Sequence, residues 1–145
     1  MSDPNLLSHS KLLEFVVARI MIVDDERDVV TLIKFLLEKE GHEVLTAYNG
    51  VEALEVLGVD PEKDDVPLPD VIVLDVMMPQ MDGYSVSAKL AEKPRTRGVP
   101  LIILTAKGET RDLFELSPNV AAYIDKPFDP KKLRDLIVGM LNPKR

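Results

Sequence analysis

Uninterrupted apolar blocks alternate along this chain with segments whose apolar residues recur at helical spacing. Ile20-Met21-Ile22-Val23, Val71-Ile72-Val73-Leu74 and Leu101-Ile102-Ile103-Leu104 contain no polar position. Such runs read as strands buried on both faces. Val29, Leu32, Ile33, Leu36 and Leu37 predict one stripe of a helix that stops near Gly41. Ala53, Leu54 and Leu57 predict a short second helix, and Tyr84 to Ala91 a weakly patterned third. Glu109 to Leu116 predicts a fourth, cut short by Pro118, and Leu133, Leu136, Ile137, Met140 and Leu141 mark a fifth. Two less apolar segments complete the strands: Glu43 to Tyr48, expected near an edge, and Val120 to Asp125. Asn49-Gly50 reads as a turn or helix start, Asp129-Pro130 as an N-cap pair, and Pro94 to Gly98 as a loop.

Strand and helix alternate five times. That order predicts an α/β fold with a parallel sheet and helices on both faces. Residues 1–17 read as an N-terminal extension, either mobile or packed on the domain. Residues 18–142 read as one domain and 143–145 as a tail. No DNA-binding or catalytic segment follows Leu141, so the chain is expected to be a stand-alone unit or one cut from a longer protein. Gly58 to Asp70 carries three prolines and five acids and predicts an exposed loop away from the strand tips.

Composition narrows the chemistry. The 145 residues carry a net charge of −7, which disfavours direct nucleic-acid binding and suits a cation or a basic protein surface. There is no cysteine, which excludes disulfides, thiol catalysis and thiolate metal sites. The two histidines, His9 and His42, cannot build a zinc site alone, and His42 is expected at the surface. No apolar stretch reaches the roughly 18 residues of a membrane span. The expected location is the cytoplasm.

Polar residues close four of the five strands: Asp24-Asp25 after the first, Asp75 after the third, Thr105 after the fourth, Lys126 after the fifth. In a parallel sheet these tips share one edge, where open α/β folds bind ligands. Taken alone, Asp24-Asp25-Glu26 is an acidic helix start. Beside Asp75 it becomes three carboxylates that repel unless a cation sits among them. Oxygen donors without thiolate or imidazole fit a hard divalent ion, and Mg²⁺ is the usual choice. An aspartate can act as nucleophile and form an acyl phosphate. Lys126 would then neutralise phosphoryl charge and Thr105 would hydrogen-bond a phosphoryl oxygen. The reading is phosphoryl transfer onto Asp75.

Ile22 to Glu26, Leu74 to Gly83, Leu104-Thr105-Ala106 and Tyr123 to Phe128 resemble the signature blocks of response-regulator receiver domains, in order and over Ala18 to Leu141. The resemblance implies a flavodoxin-like, doubly wound five-stranded parallel sheet of order 2-1-3-4-5. It implies a histidine kinase or histidine phosphotransfer protein as donor to Asp75. It also implies that Asp25, Asp75 and the Met77 main-chain carbonyl ligate Mg²⁺, with Asp24 direct or through water. The N–H groups of Val76 and Ala106 would hold phosphoryl oxygens, and Lys126-Pro127 would be cis. Thr105 would gain a partner that it lacks at rest, and Tyr123 would turn inward as the switch aromatic, unless it is simply a half-buried strand residue. The output face would be the fourth helix, fifth strand and fifth helix, with its downstream target unknown.

Ala121-Ala122 and Pro118 depart from the pattern of members that dimerise through that face, so a monomer or weak dimer is expected. In the family that the chain resembles, the positions of Met77 and Lys107 vary and influence the lifetime of the phosphoryl group. A turnover phosphohydrolase would need an acid where Met77 stands. The expected function is therefore a phosphorylation-controlled signalling module with weak autophosphatase activity, not an enzyme in the turnover sense.

Overall fold

The computed structural model describes residues 17–106 and 117–141. Five parallel strands, β1 (Arg19–Val23), β2 (Glu43–Ala47), β3 (Val71–Asp75), β4 (Leu101–Ala106) and β5 (Val120–Lys126), form one sheet of order β2-β1-β3-β4-β5. The helices are α1 (Arg27–Lys39), α2 (Gly50–Val56), α3 (Gly83–Glu92), α4 (Pro94–Arg97) and α5 (Pro130–Leu141). The helix expected over Glu109 to Leu116, Lys107, residues 1–16 and the tail lie outside the described residues.

Alternation within the strands divides the core. Ile20, Ile22, Val71, Val73, Ile102 and Leu104 pack with Val30, Ile33 and Leu37 of α1 and Leu133 and Ile137 of α5. Their neighbours Met21, Val23, Ile72, Leu74, Leu101 and Ile103 pack with Ala53 and Leu54 of α2, Leu57 just after it, and Val86 and Leu90 of α3. Successive side chains of a strand face opposite ways, so a strand apolar throughout feeds both layers. Every residue of β3 is buried, while β2 at the edge buries only Ala47.

The structure changes four local expectations. In α1 the buried line is Val30, Ile33 and Leu37, and Leu32 is 47% exposed. Pro94 to Arg97 is a single helical turn, started by the fixed φ of Pro94 and anchored where the buried Thr96 hydroxyl donates to Leu90 O at 2.7 Å. His42 is buried, because its Nδ1 accepts the Ala18 N–H at 3.1 Å just ahead of β1. The 58–70 connection is largely exposed, yet Val59 and Pro69 are buried and Arg95 donates to Leu57 O and Val66 O. It ends at the sheet edge opposite the strand tips, where Asp70 accepts the Arg19 N–H at 2.8 Å.

Candidate functional site

The C-terminal ends of β1, β3, β4 and β5 meet in one hollow. Val23 lies opposite Leu74 and Asp75 opposite Leu104, so Asp24 follows β1 at the level of Asp75. Asp24 is fully buried, and its Oδ1 accepts the Glu26 N–H at 2.9 Å, a turn that launches α1. Asp25 is exposed at the mouth, and Asp75 is 4% exposed. Carboxylate oxygens of Asp24, Asp25 and Asp75 lie within 4.8 Å of one another.

Glycine fixes the seat of Asp75. A Cβ on Gly83, the first residue of α3, would stand 2.5 Å from the Asp75 carbonyl oxygen and 2.9 Å from Val76 Cα. The Gly83 N–H donates to Val76 O at 2.8 Å, and Asp82 caps α3 through the Ser85 N–H. The Met-Pro-Gln-Met turn is thus held flat against the end of β3. Met77 is exposed within it.

Lys126 reaches back across the tips. Its Nζ lies 2.9 Å from Asp24 Oδ2, 2.9 Å from Glu26 Oε1 and 3.3 Å from Asp75 Oδ1. The Lys126–Pro127 peptide is cis, as the motif implied. Burial lowers the Lys126 pKa, but hydrogen bonds to Glu26 and Asp24 and the charge of Asp75 outweigh it, so the net shift is upward and the ammonium stays charged. Burial and the charge of Asp24 push Asp75 up from 3.8 to about 7, only partly opposed by Lys126. One ammonium does not satisfy three acids. Asp24 Oδ2 is buried and meets the Lys126 ammonium at 2.9 Å, a cation it shares with Glu26 and Asp75. Three carboxylates crowded within 4.8 Å, all hard oxygen donors, fit a divalent cation such as Mg²⁺.

Thr105, 1% exposed, is the penultimate residue of β4. Its hydroxyl donates to Asp125 Oδ1 at 2.6 Å, so Thr105 already has a partner at rest, contrary to expectation. Val76 is corrected as well: its N–H donates to Leu104 O at 3.2 Å within the sheet and is not directed into the hollow. Ala106 stands opposite Lys126 at the end of β4. Tyr123 is half-buried on β5 against the layer that contains Ile103.

Two residues escaped the sequence reading. Glu26 carried a signal, as the third acid of its run, but its reach to Lys126 spans 100 positions. Asp125 carried none, because its pairing depends on an irregularity in β5. Leu101 faces Val120 but Ile102 faces Ala122, and the extra residue brings Asp125 opposite Thr105.

Residues 20–138 match the family model for the response regulator receiver domain. The chain is 37% identical over 124 residues to the alkaline phosphatase synthesis transcriptional regulatory protein PhoP of Bacillus subtilis (strain 168), covering 85% of this chain and 48% of that protein. It therefore spans about half the length of that curated relative. Among solved structures it is similar to the signal receiver domain of a signal transduction histidine kinase from Syntrophus aciditrophicus, with a TM-score of 0.74 and 30% identity, covering 89% of this chain and 93% of that one. It is also similar to the chemotaxis response regulator CheY4 of Vibrio cholerae, with a TM-score of 0.73 and 25% identity, covering 86% and 99%.

Proposed function

The chain belongs to the response regulator receiver domain family, and from that premise we propose that it accepts a phosphoryl group on Asp75 and switches its outer surface in response. Membership implies a histidine kinase partner in two-component signalling. The immediate donor proposed here is the phosphohistidine of such a kinase or of a phosphotransfer protein. The observation that carries the reading is the grouping of Asp24, Asp25 and Asp75 with the Lys126 ammonium 3.3 Å from Asp75 Oδ1.

A carboxylate oxygen of Asp75 attacks phosphorus. The donor's nitrogen–phosphorus bond breaks, and its electron pair returns to the imidazole. The attack needs Asp75 ionised, which its buried position opposes and a nearby cation favours. Asp25, Asp75 and the Met77 main-chain carbonyl would hold Mg²⁺, with Asp24 direct or through water. When bound, the ion supplies positive charge to the acids and to the phosphoryl oxygens. Lys126 adds a positive point charge beside the same oxygens. The Thr105 hydroxyl and the Ala106 N–H then bind phosphoryl oxygens. Thr105 is drawn inward and Tyr123 follows into the vacated space, shifting an equilibrium between two surfaces. Later attack by water on phosphorus restores Asp75, a slow autophosphatase reaction.

Incubation with Mg²⁺ and acetyl phosphate, read by intact mass, tests the assignment. The wild type should gain one phosphoryl group and Asp75→Asn none. Equal labelling of both would remove Asp75 from this role.

A further inference from the structure

Building on the phosphoacceptor reading, we propose that Asp125 is a positioning residue: it captures the Thr105 hydroxyl at rest and so sets how strongly an acyl phosphate drives the switch. A threonine hydroxyl has one proton to donate. Here that proton goes to Asp125 Oδ1 at 2.6 Å, within the range of charge-assisted O–H···O⁻ bonds. Donation to Asp125 and donation to a phosphoryl oxygen exclude each other.

The direction of the bond matters. In the order β3-β4-β5, Thr105 on β4 stands between Asp75 and Asp125. Its hydroxyl points to β5, the side away from the phosphoacceptor. The pairing is built into the backbone, since the extra residue near the start of β5 brings Asp125 opposite Thr105. Tyr123 lies two residues before Asp125 and therefore on the same face of β5. It packs against the layer containing Ile103, itself two residues before Thr105. The Thr105–Asp125 bond thus closes the tip of the same face on which Tyr123 sits. For the hydroxyl to serve an acyl phosphate, this bond must break, and its strength is subtracted from the drive to switch.

Beryllofluoride with Mg²⁺, a stand-in for the phosphoryl group, tests this by a double-mutant cycle. Its dissociation constant is measured for wild type, Asp125→Ala, Thr105→Val and the double variant. Asp125→Ala should bind about tenfold tighter, equivalent to about 1.4 kcal/mol. In the Thr105→Val background the same change should leave affinity unaltered. Asp125→Asn keeps an acceptor oxygen without the charge and should fall between, and it carries the test if the alanine variant folds poorly. Equal tightening in both backgrounds would mean that Asp125 acts only as a nearby negative charge and would overturn the inference, as would no tightening at all. Failure of the wild type to take a phosphoryl group from acetyl phosphate would be a different result: it would end the phosphoacceptor reading, and this inference with it.

Discussion

The Lys126 ammonium lies 3.3 Å from Asp75 Oδ1 while also touching Asp24 and Glu26. The two strands that carry Lys126 and Asp75 are not neighbours, since β4 separates them. The contact exists because the chain reaches back over the tip of β4. Lys126 is therefore both counter-charge to the acids and a competitor for any cation among them.

Replacing Lys126 should accordingly act in opposite directions on two measurements. Lys126→Ala should tighten Mg²⁺ binding about fivefold at pH 8, because one unit charge a few ångströms away is worth about 1 kcal/mol even in bulk water. It should slow phosphorylation by acetyl phosphate by about tenfold or more, since a charge that stabilises the transferring group is lost. Titration calorimetry and timed mass spectra read the two effects. A parallel fall in both would assign Lys126 a structural role only.

The raised Asp75 pKa has a signed consequence. Its folded-state value is about 7 against 3.8 for the ordinary group, so the folded protein binds more protons between these values. The stability contributed by this group is complete below about pH 3.8 and is lost as pH rises through about 7. In EDTA, the Tm of wild type relative to Asp75→Asn should decline from pH 5 to pH 8. With Mg²⁺, which selects the ionised carboxylate, the Tm gain should grow over the same interval. Profiles of the same shape in EDTA and in Mg²⁺ would count against an ion at Asp75.

Asp25 offers a cleaner test of the ion site because it is exposed. Asp25→Ala should reduce Mg²⁺ affinity roughly tenfold by removing one charged ligand, with little change in Tm. Unchanged affinity would move the ion elsewhere, with the acidic 58–70 connection the first place to look.

Two glycines should respond oppositely to alanine. At Gly83 the new methyl meets backbone 2.5 Å away, which no side-chain rotation relieves. Gly83→Ala should cost about 1–3 kcal/mol, the usual range for overpacking, and should weaken Mg²⁺ binding by displacing Asp75. At Gly139, inside α5, nothing lies within 4 Å of the added atom. Gly139→Ala should stabilise by roughly 0.5–1 kcal/mol on helix propensity alone. Urea denaturation compares the pair.

Much of this was legible in the residues. Val71 to Leu74 and Leu101 to Leu104 are apolar on both faces and allow only a central position, which places Asp75 and Thr105 at strand ends. Less was legible where two solutions were close in pattern. Val29, Leu32, Ile33, Leu36 and Leu37 and the observed Val30, Ile33 and Leu37 differ by a modest rotation of one helix, and packing chose between them. Leu32 and Leu36 instead line the groove beside Pro130 and Arg134 of α5. His42 looks like any polar residue between a helix and a strand until Ala18 is seen to need an acceptor. The partner of Thr105 depends on one extra residue in β5, and the use of the Val76 N–H depends on the ladder to Leu104. Neither leaves a trace in composition or periodicity.

The placement of these groups across the sheet divides the labour mechanically. Asp24 and Asp75 hang from β1 and β3, each laced to a neighbour on both sides. Tyr123, Asp125 and Lys126 ride on β5, which among the described residues is laced to β4 alone. Displacing β5 would disturb its ladder to β4, whereas displacing β3 would disturb ladders to both β1 and β4, so an anion between β3 and β5 would meet a more firmly anchored group on one side than on the other.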